Sequence, residues 1–236
     1  MKILRANCRI QFTAADVEFI AETLSEGNSA NIDAIAKLLA DESVRDSILD
    51  SPALRDALSD QVSSLKISQR LFFYIHVRHE LKQVGIEDAT VADYVAEVLT
   101  RFSEAEQWRP IAGCEDSQSV YLFEIIAKMP VADEFERFIL NAHIGNYILT
   151  LLGLFNDHIR YREEYKAAPT PRFYEGMGAH GFQKARDHRM AQRLDLEDVY
   201  DVLSNGFQSA RQALNQLAEK TLFVGNDLVS SPRGTA

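Results

Sequence analysis

The sequence predicts an all-α fold: an antiparallel helical bundle with a long central helix and a small N-terminal helical lobe. Three observations carry this. Apolar residues recur at three- and four-residue spacing through most of the chain. Capping residues precede these periodic stretches, and Gly or Pro follows them. No run alternates in strand fashion, and neither a βαβ rhythm nor a repeat of fixed period is present. With 236 residues, 46% of them hydrophobic, the chain can bury a sizeable core as one large domain or two small ones.

The first twelve residues are the only candidate strand. Thr13 precedes AADVEFIAETL with Asp16 three residues on, a capping box with Asp in place of Glu, and Gly27 is the stop. Ser29 opens NIDAIAKLLA. Ser51-Pro52 sets a cap and a first-turn proline before ALRDAL. These short, Asp-rich helices form an acidic lobe over 1–66. Ser68 opens QRLFFYIHVRHELKQV, which Gly85 stops. ATVADYVAEVLTRFSEA leads to a loop around Pro110 and Gly113, and SVYLFEIIAKM ends before Pro130. Asp133 begins a long helical pattern reaching Lys166, with a bend expected at Gly145 or Gly153. APTPR breaks the chain. Asp195 caps a last helix carrying Val199, Leu203, Phe207, Ala210, Leu214 and Leu217 at helical spacing. The main bundle is expected over 67–228 and a disordered tail over 229–236. The two lobes could equally form one domain.

A net charge of −10 opposes general binding to nucleic acid or anionic membrane, which need a positive surface field. No run reaches the roughly 18 apolar residues of a membrane span. The N-terminus has no signal-peptide pattern. Cys8 and Cys114 make neither a CxxC nor a zinc pattern, so a reducing, cytoplasmic setting is expected. The chain could also form a homodimer.

FYEGMGAHGF places Gly176, Gly178 and Gly181 in the G-x-G-x-x-G spacing of dinucleotide sites. That motif works only between a buried strand and a helix N-terminus, and APTPRFYE is no such strand. Close helix packing, or an irregular start to a helix near 182–193, explains the glycines better. A glycine-rich, locally basic helix start could also cradle an anion.

Three constellations could carry chemistry. His76, His79 and Glu80 lie on neighbouring helical turns as weak metal candidates. Projection at about 100° per residue puts Gln69, His76, Glu80 and Gln83 on one polar stripe, favouring a solvated face with a Glu80–His76 pair and a half-buried His79. Glu136, His143, Asn146, Tyr147 and Thr150 form a polar seam on the otherwise apolar central helix. It is read either as a register-fixing hydrogen-bond network or as a pocket with His143 as base or ligand beside Tyr147 and Glu136. Finally, His158, Tyr161, Arg162 and Tyr165 make an aromatic and cationic face. It leads into a basic segment with Arg172, Tyr174, His180 and Arg186, and 158–193 is net positive within an acidic chain.

The expected function is therefore a binding or adaptor module that recognises an acidic protein partner or a small anion through the 158–193 surface. The alternative is an enzyme, or a cofactor- or metal-binding bundle, built around His143, Tyr147 and Glu136. The sequence names no cofactor. It has no P-loop and no GxSxG, and it lacks the paired Glu-x-x-His motifs of di-iron bundles.

Overall fold

A computed structural model describes residues 3–25, 28–60, 67–104, 117–166 and 169–222, with the side chains at 29, 30, 60, 117–121, 158, 162, 166, 221 and 222 left aside. The described chain is an all-α helical bundle without strands. After an irregular start and a 3-10 turn at Arg9–Gln11 come α1 (Ala14–Ser25), α2 (Ser29–Leu39), α3 (Glu42–Leu49) and α4 (Pro52–Asp60). The pair α5 (Gln69–Gln83) and α6 (Ala89–Glu104) follows. Then come α7 (Ser117–Lys128), α8 (Glu134–Leu154), α9 (Asn156–Lys166) and α10 (Pro171–Arg186). The chain ends in α11 (Arg189–Arg193), α12 (Glu197–Asn205), α13 (Phe207–Leu217) and a π-helical turn at Ala218–Leu222. The loop around Pro110 and Gly113, the Gly27 stop, Cys114 and the tail lie outside the described residues.

The capping chemistry sets most boundaries. Asp16 accepts from the Thr13 N–H at 2.7 Å while Thr13 Oγ1 accepts from the Asp16 N–H at 3.2 Å, which completes the box. The other Asp16 oxygen accepts from the Ser68 N–H at 2.7 Å, so one buried carboxylate ties the start of α1 to that of α5. Gly85 ends α5 at φ +84°, and the Ile86 N–H returns to the Leu81 carbonyl at 2.9 Å. Helix α3 was not expected; Asp41 caps it by accepting from the Ser43 N–H.

Helix α8 is the centre of the bundle. It packs against α10, α13, α6, α7 and α9, and its middle and C-terminal turns are buried almost all round. The pattern expected to run on to Lys166 breaks at Phe155, and the chain turns by 89° into α9. Asn215 explains the elbow. Its amide donates to the Leu152 carbonyl at 2.8 Å and the Gly153 carbonyl at 2.6 Å, occupying acceptors that a continuing helix would use. A Cβ on Gly153 would sit 2.6 Å from Leu214, so only glycine lets α13 come this close.

Two further boundaries correct the sequence reading. APTPR does not precede an irregular stretch: Thr170 caps α10, Pro171 opens it, and the three glycines lie inside its regular turns. Asp195 does not cap a helix. It takes a left-handed backbone at φ 56°, which Asp tolerates better than most residues, and the expected last helix divides into α12 and α13 at Gly206.

Buried apolar side chains of α1 to α4 and of the later helices belong to one contiguous core. Arg9 links the N-terminal segment to both parts. Its side chain pairs with Asp46 of α3 and, at 3.3 Å, with buried Asp93 of α6. Its guanidinium lies 5.7 Å from the Tyr74 ring of α5, and its backbone N–H donates to Asp93 at 2.7 Å. Arg78 forms a bidentate pair with Asp50 at 2.8 and 3.0 Å across the same seam. Among the described residues no single helix is long and apolar enough to cross a membrane.

Candidate functional site

The glycines of α10 are packing residues. A Cβ on Gly181 would lie 2.8 Å from the Asn141 carbonyl and 3.0 Å from the Gly145 nitrogen, and one on Gly145 would meet the Phe182 ring at 2.7 Å. Helices α8 and α10 thus cross backbone to backbone at Gly145 and Gly181. Gly178 makes room for the Phe207 ring, whereas Gly176 faces open space. No glycine stands at the N-terminus of α10, so the dipole that an anion cradle requires is not beside them.

The seam on α8 is partly retained. Glu136 does not belong to it: this side chain is exposed and completes a capping box, accepting from the Asp133 N–H at 3.1 Å while Asp133 accepts from the Glu136 N–H at 2.8 Å. Its place in the first turn of α8 recruits it as a cap instead of as a partner for His143. His143 and Tyr147 lie together, ring centroids 6.3 Å apart, with Phe102 stacked 6.1 Å from His143. Burial pulls the His143 pKa down to about 4, so the imidazole is neutral at physiological pH.

Asn146 meets the first of a pair of buried tyrosines that the sequence reading missed. Tyr94 of α6 donates to Asn146 Oδ1 at 3.0 Å, and its hydroxyl lies 3.4 Å from that of Tyr200 on α12. Burial pushes the Tyr94 pKa up to about 12 and raises that of Tyr200, so neither phenol ionises near neutrality. Both tyrosines sit on the inward faces of their helices, where an aromatic reads simply as core. Their meeting with Asn146 depends on three helices remote in sequence. Beside the group is a cleft of about 30 Å³, lined by His143, Asn146, Tyr94, Tyr200 and the Ile3 and Leu4 side chains. A space of that size suits roughly one or two waters, not an organic substrate.

The α5 candidates are not a solvated stripe. His76 and Glu80 are buried because the face they share is covered in the fold. His76 packs on Phe72 at 4.6 Å, and burial, aided by His79 and Arg55, lowers its pKa to about 4. Glu80 pairs with Lys220 at 2.9 Å instead of with His76, and the His79 ring nitrogen meets Arg55 Nη1 at 3.0 Å. Among the described residues no group of three His, Cys, Asp or Glu side chains is placed to hold a metal ion. Cys8 is a buried thiol whose pKa burial and Asp93 drive far upward, so it is no nucleophile.

The 158–193 surface is sorted more sharply than the sequence allowed. Tyr161 and Tyr165 of α9 are 51% and 63% exposed, with ring centroids 4.9 Å apart. Phe173, which the sequence reading passed over, is 55% exposed just beyond the α9–α10 connection, and Arg160, Arg172 and His180 are exposed as well. Tyr174 is not on this surface: it is buried, one position round the helix from Phe173. Arg186 is already engaged, pairing with Asp201 at 2.6 Å and Asp187 at 2.8 Å. The side chains of His158 and Arg162 lie outside the described set. Exposed on these two successive helices are thus Tyr161, Tyr165, Arg172 and Phe173. Comparison of the chain with protein families, curated proteins and solved structures found no match.

Proposed function

We propose that the protein is a helical binding module that docks an acidic segment of a protein partner against the aromatic and cationic surface around the α9–α10 connection. The exposure of Tyr161, Tyr165 and Phe173 carries this reading. Three large rings held in water on one short stretch of chain give the bundle little burial, whereas aromatic side chains beside arginines are the usual anchors of protein interfaces. Arg160 and Arg172 are exposed on the same two helices, and the excess of Lys and Arg over 158–193 favours an acidic counterpart. The interior reading, with His143 as base or ligand, has weaker support. Glu136 points to solvent, and the adjoining cleft of about 30 Å³ would not take an organic cofactor unless Ile3 and Leu4 moved.

The test is an NMR titration of the isotope-labelled full chain with a poly-glutamate peptide and, separately, with inorganic phosphate. Saturable shifts at Tyr161, Tyr165, Arg172 and Phe173 with the peptide are expected, weakening as salt rises. Tyr165→Ala and Arg172→Glu should each weaken binding by about tenfold while the helical circular dichroism is unchanged. Shifts with phosphate alone would assign the surface to a small anion. Shifts centred elsewhere, or unchanged affinity in both variants, would sink the proposal.

A further inference from the structure

The polar centre between α6, α8 and α12 is not fully satisfied by the protein. A tyrosine has one proton to give, and Tyr94 gives its own to Asn146 Oδ1 at 3.0 Å. The 3.4 Å contact between the two phenols is therefore Tyr200 donating to Tyr94, which leaves the lone pairs of Tyr200 unused. Asn146 is only 4% exposed, yet among the described residues its amide nitrogen donates to nothing. Both residues line the cleft of about 30 Å³. The cleft thus offers an amide donor and a phenol acceptor, both set on the same Tyr94 hydroxyl. Buried polar groups without partners are costly, so this floor suits a ligand that brings its own.

The rest of the lining is apolar and lightly held. Ile3 and Leu4 complete it, and both are half-buried. Among the described residues, 3–6 make no hydrogen bond. The first ties to the bundle are the Cys8 thiol, 3.5 Å from the Arg70 carbonyl, and the Arg9 N–H, which donates to Asp93 at 2.7 Å. An aliphatic cover cannot meet the Asn146 donors.

The lining also selects the chemistry of a ligand. Every residue in it is uncharged, since burial keeps His143 neutral and both phenols protonated, so an ion would enter without a counter-charge. A primary carboxamide meets both open groups: its carbonyl accepts from Asn146 and its NH2 donates to the Tyr200 oxygen. A carboxylate of the same shape has a charge to bury and no proton for Tyr200.

We propose that this cleft is the recognition end of a binding site for a small, uncharged primary carboxamide with an apolar body, and that Ile3 and Leu4 are a displaceable cover standing where that body goes. The site is separate from the α9–α10 surface and does not depend on it.

An NMR titration of the isotope-labelled full chain with benzamide, and with benzoate as the charged analogue of the same shape, tests this. Benzamide should give saturable shifts at Ile3, Leu4, Ala142 and Asn146, and benzoate none there. Leu4→Ala loosens the cover and should tighten benzamide binding by about tenfold. Tyr200→Phe and Asn146→Leu should each weaken it by about tenfold. Tyr200→Phe keeps the ring and its packing, so it carries the test if Asn146→Leu does not fold. A wild type without saturable shifts overturns the proposal, as does equal binding of benzoate or wild-type affinity in Tyr200→Phe. Unchanged affinity in Leu4→Ala overturns the cover.

Discussion

Gly181 and Gly176 stand five residues apart on one helix and have opposite reasons to be glycine. At Gly181 a methyl would strike the backbone of α8 at the Asn141 carbonyl, and backbone cannot move aside cheaply. Gly181→Ala should cost roughly 1–3 kcal/mol, the usual range for overpacking. At Gly176 a methyl meets nothing, so Gly176→Ala should gain roughly 0.5–1 kcal/mol from reduced backbone freedom in the unfolded chain. Urea midpoints that shift in opposite directions would bear this out; equal shifts would show that the helix crossing is not that close. The spacing of the glycines was legible in the sequence, but the division of labour among them was not, because a Cβ clash depends on which backbone lies opposite. His76 supplies a second residue-scale test. Its pKa falls from 6.5 to about 4 because burial disfavours the imidazolium. Between those values the unfolded chain binds the proton that the folded chain refuses. Stability therefore falls as pH drops through 6.5 towards 4, by about 3 kcal/mol in all, with no further loss from this group below that. His76→Leu should remove this share of the loss and leave that of His143, whose pKa burial lowers in the same way. Equal losses between pH 7 and pH 4.5 in both proteins would mean that His76 titrates as an ordinary surface histidine.

The elements were readable where a local signal fixed them and unreadable where a distant residue did. The Thr13–Asp16 box, the Ser68 cap on α5, Pro52 and the Gly85 stop act within one or two turns, so their chemistry is written beside the helix they bound. The end of α8 is different. Asn215, some sixty residues downstream, takes its last carbonyls, and the local sequence reads as helix through the break. The same holds for the first segment, whose place is set by Arg9 reaching Asp46 and Asp93 on two separate helices. Arg9→Met would leave the buried Asp93 carboxylate with the residue 9 backbone N–H and the more distant charge of Arg45, which should cost about 3 kcal/mol. In Arg9→Met/Asp93→Asn much of that loss should return, since no buried charge is then left unpaired. If Asp93→Asn restores nothing in the Arg9→Met background, the staple is packing and not charge.

At the scale of the whole molecule, one contiguous core runs from α1 to α13; the cleft beside the polar centre at Tyr94, Asn146 and Tyr200 is water-sized, and a larger one of about 230 Å³ opens at the α8–α9 elbow beside Gly153, Phe155, Asn215 and Glu219. On the surface, the large rings left in water cluster in sequence at α9 and α10, with Tyr161, Tyr165 and Phe173. By itself the sequence determined the all-α class, most helix starts, a buried central helix with polar residues on it and a basic aromatic stretch near position 160. Each of these follows from periodicity, capping or local composition, which act over a few residues. Only the tertiary structure decided that Glu136 is a cap and not a partner of His143, and that His76 and Glu80 are buried. It also buried Tyr174, paired Arg186 with Asp201 and left Phe173 and Phe123 in water. The reason is the same in each case. An amphipathic pattern says that a helix has a covered side, but the neighbours that cover it come from remote parts of the chain, and their arrival decides which polar group is satisfied and which apolar one stays exposed.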